Sequence, residues 1–343
     1  MHYLITGHTG FKGTWLTAML LSQGHQVSGI SLDPEEPSLF SFTNIGTKLN
    51  FDLRMDIRNS DQLLEAIKKI KPDVVMHLAA QPLVRRSYLE PEYTFETNVL
   101  GTLNVLSAVS KVDSIQAVLV VTTDKVYKDS NTKIPYKESD PLGGKDPYSA
   151  SKAAADILTQ SWIASVKSAS IVIARAGNVV GGGDWSEDRI VPDAISALIS
   201  GNNLTLRNPQ SIRPWQHVLD CLNGYLKLIN KVLEGDTKST WNFGPEEGSI
   251  KTVDELVKEL YVAWGESTSE VVVTNSDPKL VESNYLLLDS TQSRALLDWK
   301  DLLNFKEVIS WTSDWYKEFN AGANALELVE NQVQEFFKLE SLN

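Results

Sequence analysis

Three glycines spaced three apart, in Gly7-His8-Thr9-Gly10-Phe11-Lys12-Gly13, stand directly behind the apolar run Tyr3-Leu4-Ile5-Thr6. A strand that runs through such a turn into a helix has few folds open to it. The glycines permit the tight turn, and they let backbone N–H groups approach a pyrophosphate at the helix N-terminus. The spacing predicts a strand over 3–6, a helix over 13–23 that Gly24 stops, and a second strand over 26–30. A βα turn that merely needs small residues is the plainer reading, and the strand–turn–helix setting weighs against it. Lys12 stands inside the turn, placed either to touch phosphate or to stay solvated.

The same rhythm continues to residue 177. Helices are predicted over 60–69, 94–110 and 148–166, and strands over 74–78, 117–121 and 170–174. Leu63, Leu64 and Ile67 share one face of the first of these helices, and Val99, Leu103 and Leu106 recur at helical spacing in the second. Uninterrupted apolar strands alternating with helices mean a parallel sheet covered on both faces. The expected fold class is therefore α/β: a Rossmann-like doubly wound parallel sheet with a smaller C-terminal substrate-binding region. Residues 1–177 are expected to form the dinucleotide-binding part, with segments near 211–243 and 280–295 returning to it. The rest of 178–343 is expected to be mainly the substrate-binding region, with helices over 192–200, 220–232 and 252–262 and short strands over 215–219 and 285–288.

Composition excludes several classes. A chain of 343 residues with 42% hydrophobic and 22% charged side chains is ordinary for a globular protein and too apolar to be disordered. The single cysteine, Cys221, leaves no internal disulfide and no multi-cysteine zinc site, and no metal is expected. Lys plus Arg is 32 against 44 Asp plus Glu, a net charge of −12. That balance argues against nucleic acid or an anionic membrane as partner, while allowing a local basic pocket for a phosphorylated small molecule. No cationic stretch followed by a long apolar one stands near Met1, and no apolar run is long enough to span a bilayer, so the cytoplasm is the expected location.

An acid at the end of the second strand would hold the ribose hydroxyls of NAD. That slot falls on Ser31, with Asp33 two residues on; Asp33 precedes Pro34 and is by type also a turn residue. No arginine stands at or beside the slot in the chain, which favours NAD over NADP. Asp56-Ile57 is placed to hold the adenine ring, or Asp56 to close a turn. Tyr148 and Lys152 share a helix face one turn apart. An ammonium near a phenol favours the phenolate, lowering a pKa of about 10, and the phenol then serves as a base. Thr122-Thr123-Asp124-Lys125 follows the strand over 117–121, and residues at the carboxyl ends of parallel strands line the ligand crevice.

Together with His77-Leu78-Ala79-Ala80 and with Asn98-Val99 before Gly101-Thr102, these motifs in this order resemble the extended short-chain dehydrogenases/reductases. The longer stretches 81–88, 143–149, 175–185 and 212–218 are similar to the nucleotide-sugar 4,6-dehydratases, and most of all to the group that acts on CDP-glucose. The resemblance runs from residue 2 to about residue 300. It implies NAD as cofactor, in a glycine turn comprising Gly7, Gly10, Phe11, Lys12 and Gly13, with Asp33, Asp56 and Ile57 on the adenosine side. Leu78, Ala79, Ala80, Asn98, Tyr148 and Lys152 complete that implied site. CDP-glucose is the implied small-molecule substrate. A homodimer or dimer of dimers is implied too, paired through the helices that start near Thr94 and Tyr148, where Leu100, Leu103 and Val105 are apolar.

The resemblance also implies a reaction. The sugar is oxidised at C4, loses a proton from C5 and the hydroxyl from C6 as water, and regains the same hydride at C6. Tyr148 would take the C4 hydroxyl proton, Lys152 would hold the nicotinamide ribose, Thr123 would orient the sugar and Asp124 would protonate the leaving hydroxyl. Many relatives have glutamate where this chain, like the CDP-glucose group, has Lys125. A neutral Lys125 removes the C5 proton; a charged one steadies the enolate; the sequence leaves both open. Asn178 would face the sugar or its phosphate, and Arg213 would grip the diphosphate, with Arg207 as a further candidate and Arg85 as another, beside Arg86 in the loop expected after the fourth strand. Glu282 is a candidate reader of the cytosine amine, or a solvated loop residue. Trp185 and Trp215 are candidates to stack on base or sugar, or to fill the core. Two other functions compete with that of a 4,6-dehydratase, whether its substrate is CDP-glucose or another nucleotide sugar. One is a nucleotide-sugar 4-epimerase, which usually carries small or hydroxyl residues where Asp124-Lys125 stand. The other is a cofactor-binding scaffold without catalysis, against which Thr123, Tyr148 and Lys152 speak.

Overall fold

A computed structural model describes residues 1–130, 132–166, 169–235, 238–265, 267–274 and 285–342. The first half runs β1 (His2–Thr6), α1 (Phe11–Ser22), β2 (Gln26–Ser31), α2 (Leu39–Thr43), β3 (Phe51–Arg54), α3 (Ser60–Ile70), β4 (Val74–His77), α4 (Val84–Leu89), α5 (Pro91–Phe95), α6 (Gly101–Val109), β5 (Ala117–Thr123), α7 (Pro147–Ser165) and β6 (Ser170–Ala176). The second half runs β7 (Val179–Val180), α8 (Ile190–Ser200), β8 (Leu204–Leu206), β9 (Ile212–Pro214), β10 (Gln216–His217), α9 (Val218–Glu234), β11 (Thr240–Phe243), β12 (Ile250–Thr252), α10 (Val253–Trp264), β13 (Val271–Val273), α11 (Thr291–Leu297), α12 (Phe305–Asn320) and α13 (Ala325–Ser341).

Seven strands pair in the order β11-β6-β5-β4-β1-β2-β3, every pair parallel. This is the α/β doubly wound sheet the apolar runs predict. The order reverses at β1, whose neighbours are β2 and β4, so a ligand crevice opens beyond the carboxyl ends of β1 and β4. The edge strand β11 comes from far along the chain to pair with β6.

Some expectations give way. The single helix over 94–110 is instead α5, a π-turn over Glu96–Leu100, and α6. Pro91 at the first helical position starts this stretch earlier than apolar periodicity alone suggests. Val105 faces the core rather than a partner. Arg85 and Arg86 lie on α4, not in a loop. The strand expected over 285–288 is a single bridge, Leu288 to Tyr136. Conversely β5 continues to Thr123, because Thr122 and Thr123 pair with Arg175 and Ala176. The helices α11, α12 and α13 have no counterpart among the expected elements.

The helix behind the glycine turn is apolar all round, and Gly13 through Leu20 are all buried. A helix without a wet face needs cover on every side. The sheet, α9, α13 and α2 supply it. Trp15, Leu16, Met19 and Leu20 are fully buried there, each stabilising the fold by about 1.5–3 kcal/mol.

Two histidines make this core sensitive to acid. His77 bridges the Thr6 and Thr102 hydroxyls at 2.7 and 3.0 Å, and His217 accepts from the Leu219 amide at the start of α9. Burial pulls both imidazoles down to about 3. The unfolded chain takes up these protons near 6.5 and the native chain does not. Their contribution is therefore complete above pH 6.5 and is lost as pH falls toward 3, by up to about 1.4 kcal/mol per pH unit for each group. Thermal unfolding between pH 7 and pH 5.5 should show this slope. His217→Asn keeps a capping acceptor but cannot take the proton, so it should lower the melting temperature overall yet flatten the slope. Equal slopes in variant and parent would show that His217 is not a source.

Candidate active site

The crevice is built first by backbone. Gly7 has φ of +78°, and a Cβ there would come within 2.8 Å of the Ala79 backbone, so β1 and the end of β4 can meet only at glycine. A Cβ on Gly13 would lie 2.2 Å from the Gly7 carbonyl oxygen. Gly10 caps α1 without any side-chain hydrogen bond, and the first turn holds no acid. An uncapped helix N-terminus of this kind seats an anion, so the residues present fit a dinucleotide pyrophosphate.

Around this cradle the other expected cofactor residues take varied places. Leu78 and Ala79 donate backbone N–H groups to the Thr6 carbonyl and hydroxyl, and Ala80 follows them along the crevice wall. Phe11 and Ile57 pack into the core, Ile57 beneath Gly101. Asp33 is 87% exposed, and 3.4 Å separates it from Arg54 of β3. The linear reading that no arginine stands beside this slot is therefore corrected: Arg54 arrives from the neighbouring strand, gripping Asp52 and reaching His8 at 3.1 Å. His8 is buried, with Nε2 at 2.7 Å from Asp52. The Asp56 carboxylate is engaged by Arg58 through both side chain and backbone. The amide of Asn98 is likewise occupied inside the protein, accepting from Gln81 N and donating to the Gln81 carbonyl and Ser151. Lys12 neither reaches into solvent nor stays in the turn. Its ammonium points to α9, 3.3 Å from the Tyr225 hydroxyl and 3.7 Å from Cys221 Sγ.

Beside the cradle, β5 and α7 bring the reactive groups together. Asp146 caps α7 by accepting from Ser149 N, and Pro147 occupies the first helical position. Tyr148 follows, its backbone N–H donating to Ser87 of α4. Thr123 ends β5, and its hydroxyl donates to Asp124 Oδ1 at 2.9 Å. Burial pushes the Tyr148 phenol up to about 12, opposed by a hydrogen bond with Thr123 and by the Arg189 cation. Helical spacing alone assigns that pull to Lys152. Its ammonium instead donates to the Val121 carbonyl at 2.8 Å, and burial lowers it to about 8. Arg189, which precedes α8, has no sequence signal beyond its charge.

Asp124 is 1% exposed, and its Oδ2 has no hydrogen-bond partner among the described residues. Burial raises its carboxyl, against the pull of Lys125, Thr123 and Arg213. Lys125 is half-buried, with its backbone N–H on the Thr123 hydroxyl. The group thus holds a phenol, a hydroxyl, a buried carboxyl with a raised pKa and an amine at one strand end.

Cations face this group from the other side. Arg213 of β9 is buried close to Asp124. Arg85 and Arg207 both reach Asp188, at 2.5 and 3.7 Å. Asn178 precedes β7, and its carbonyl accepts from Gln216 N. The two tryptophans belong to packing: Trp185 sits among Phe42, Trp315, Tyr316 and Phe319, and Trp215 is buried with its indole N–H on the Lys251 carbonyl. Glu282 lies outside the described residues.

The family described as GDP-mannose 4,6 dehydratase matches residues 4–312. CDP-glucose 4,6-dehydratase of Salmonella typhimurium is 36% identical, over 97% of this chain and 95% of its own length. Among solved structures, UDP-glucose 4-epimerase of Thermus thermophilus in complex with NAD superposes with a TM-score of 0.80 at 25% identity, covering 92% of this chain and 99% of that one. The dTDP-glucose 4,6-dehydratase of Bacillus anthracis in complex with NAD gives 0.79 at 22% identity, covering 96% and 99%.

The three glycines do separable work. A Cβ on Gly10 would meet only the Gly7 carbonyl, at 3.4 Å, and would otherwise project into the crevice. Gly10→Ala should therefore change the stability of the free protein by about 1 kcal/mol or less, while weakening NAD about tenfold or more by calorimetric titration. Gly13→Ala should lower the melting temperature itself. Parent-like NAD binding by Gly10→Ala would mean that this glycine does not serve a dinucleotide.

Proposed function

The chain belongs to the GDP-mannose 4,6-dehydratase family, and from that membership we propose that it is an NAD-dependent CDP-glucose 4,6-dehydratase. The product is CDP-4-dehydro-6-deoxy-D-glucose plus water, a precursor suited to deoxysugar and polysaccharide synthesis. One observation carries the reading. Asp124, buried with an unpartnered Oδ2 and a raised pKa, stands next to Lys125 at the strand end that also presents Thr123 to Tyr148. A nucleotide-sugar 4-epimerase needs only the Tyr148 side of this group; an elimination needs both sides.

NAD, which Gly7, Gly10 and Gly13 would seat over the helix N-terminus, would supply the hydride exchange between sugar C4 and C6. Every other step falls to side chains. Tyr148 takes the C4 hydroxyl proton, with Thr123 sharing the hydrogen bond and Arg189 favouring the phenolate. A carbonyl at C4 makes the C5 proton acidic. Lys125 either accepts that proton or, as a cation, balances the enolate while a water or Asp124 moves the proton. Asp124 donates from Oδ2 to the C6 hydroxyl, which leaves as water with the proton lost at C5; hydride return to C6 then leaves an enolate, and C5 takes back one proton, the equivalent of the one Tyr148 removed from the C4 hydroxyl. Burial suits Asp124 to this task because an ordinary aspartate, with a pKa of about 3.9, holds almost no proton at neutral pH. Arg213, Arg207 and Arg85 suit the diphosphate, whose charge they can meet as planar forks.

The test is a mass spectrum of CDP-glucose after incubation, which should show loss of one water with no net NADH. Tyr148→Phe should cut the saturated rate roughly 100-fold or more. Asp124→Asn and Lys125→Met should still oxidise the sugar in a single turnover and then stall before water is lost, leaving nicotinamide absorbance. Dehydration at the parent rate by both would remove this pair from the mechanism, and loss of oxidation by both would favour the epimerase.

Assembly follows from the outer side of the same helices. Leu89 is 83% exposed, and Phe95, Leu100 and Ile157 are exposed beside it on α5, the π-turn and α7. No described helix is long and apolar enough to cross a membrane. A two-fold pairing through α5, the π-turn and α7 would cover this surface isologously. Sedimentation at micromolar concentration should show a dimer or larger, and Ile157→Lys should shift it toward monomer. A monomeric parent would contradict the pairing.

A further inference from the structure

Directly behind the reactive group lies a buried ion pair that the mechanism does not use. Arg175 of β6 and Asp156 of α7 are 1% and 0% exposed. The guanidinium donates to both carboxylate oxygens, at 2.8 and 2.7 Å, and its remaining Nη1 donates to the Tyr127 hydroxyl at 2.9 Å and the Glu138 carbonyl at 3.0 Å. Asp156 also accepts from Thr122 at 3.0 Å and from Gln160 at 2.7 Å. Tyr127 passes the chain of bonds to Asn242 of β11 at 2.6 Å and stacks on Tyr136.

The placement is specific. Thr122 and Tyr127 bracket Thr123, Asp124 and Lys125 in the chain, and both are held by this one pair. Asp156 follows Tyr148 and Lys152 at steps of four, so all three lie on one stripe of α7. A buried ion pair is weak evidence for stability, since apolar side chains of similar volume often do as well. Directional bonds to two strands and a helix at once are what apolar packing cannot supply. We propose that Asp156 and Arg175 are positioning residues that hold the Thr123–Lys125 segment in register with Tyr148 and Lys152, so that oxidation at C4 and elimination across C5–C6 act on one bound sugar. This inference rests on the dehydratase reading for its kinetic consequence, though not for its structural one.

Replacing either charged residue risks the fold, so the test uses their neutral partners. Tyr127→Phe removes the hydroxyl and keeps the ring on Tyr136; Thr122→Val removes one bond to Asp156 and keeps the shape. With CDP-glucose, Tyr127→Phe should lose roughly tenfold or more in kcat, the scale of a small misplacement, with KM nearly unchanged. A deuterium isotope effect from C5 should then appear on kcat, because the elimination step has become limiting. Amide hydrogen exchange followed by mass spectrometry should quicken over residues 122–127 in both variants and stay as in the parent elsewhere in the sheet. A lowered melting temperature with parent kcat, or exchange unchanged over 122–127, would reduce the pair to ordinary packing. If the parent itself fails to dehydrate CDP-glucose, the dehydratase reading falls, and the exchange comparison alone decides whether the pair braces this segment.

Discussion

The approach of β1 to β4 at Gly7 is the constraint from which the rest of the molecule follows. Backbone meets backbone there with no room for a Cβ, and the strand order reverses at the same point. That reversal opens the crevice, aims the free amides of α1 into it, and sets the ends of β5 and β6 along its far side. Everything reactive is then placed by short extensions of these elements: Thr123 to Lys125 from β5, Tyr148 and Lys152 from α7, Arg213 from β9.

One physical cause sets the protonation of the reactive groups. Burial penalises charge, so it raises Tyr148 and Asp124 and lowers Lys152. In the proposed reaction that is a gain for Asp124, since an acid must keep its proton until the sugar needs it. For Tyr148 it is an obstacle, and the groups that oppose it are Thr123 and Arg189. One dry environment thus favours the acid and burdens the base, and a cation from the far wall of the crevice partly redresses the balance.

Much of this is legible in the chain because it is local. The β/α alternation, the glycine turn, and the Tyr148–Lys152 pair with Thr123-Asp124-Lys125 all depend on spacing within a few residues. What stays hidden is what only the sheet brings together. Arg54 is 21 residues from Asp33 in the chain, yet parallel pairing of β2 with β3 sets them side by side. Arg189 is named by no pattern, because its partner Tyr148 lies on another element. Lys12 is turned inward by Tyr225, more than 200 residues away. The π-turn at Glu96–Leu100 shifts the helical phase, so Asn98, Thr102, Val105 and Val109 are buried while Val99 and Leu103, which a reading based on period selects, are only half-buried. The stripe of Tyr148, Lys152 and Asp156 is different: its spacing of four is visible in the chain, and only the buried partner Arg175 gives its third member a meaning.

The edge strand β11 has a consequence for how the chain is made. It adds to β6 only after residues 177–239 have been synthesised, and Asn242 on it completes the bonds of Tyr127. A chain of which only residues 1–177 have emerged holds six strands of the sheet with a bare β6 edge, and its Tyr127 lacks the bond to Asn242. Bare edges of this kind invite pairing with other chains. During translation the first six strands of the sheet thus wait on sequence still inside the ribosome. Its safe folding is tied to the arrival of residue 243 rather than to the end of the contiguous β/α run.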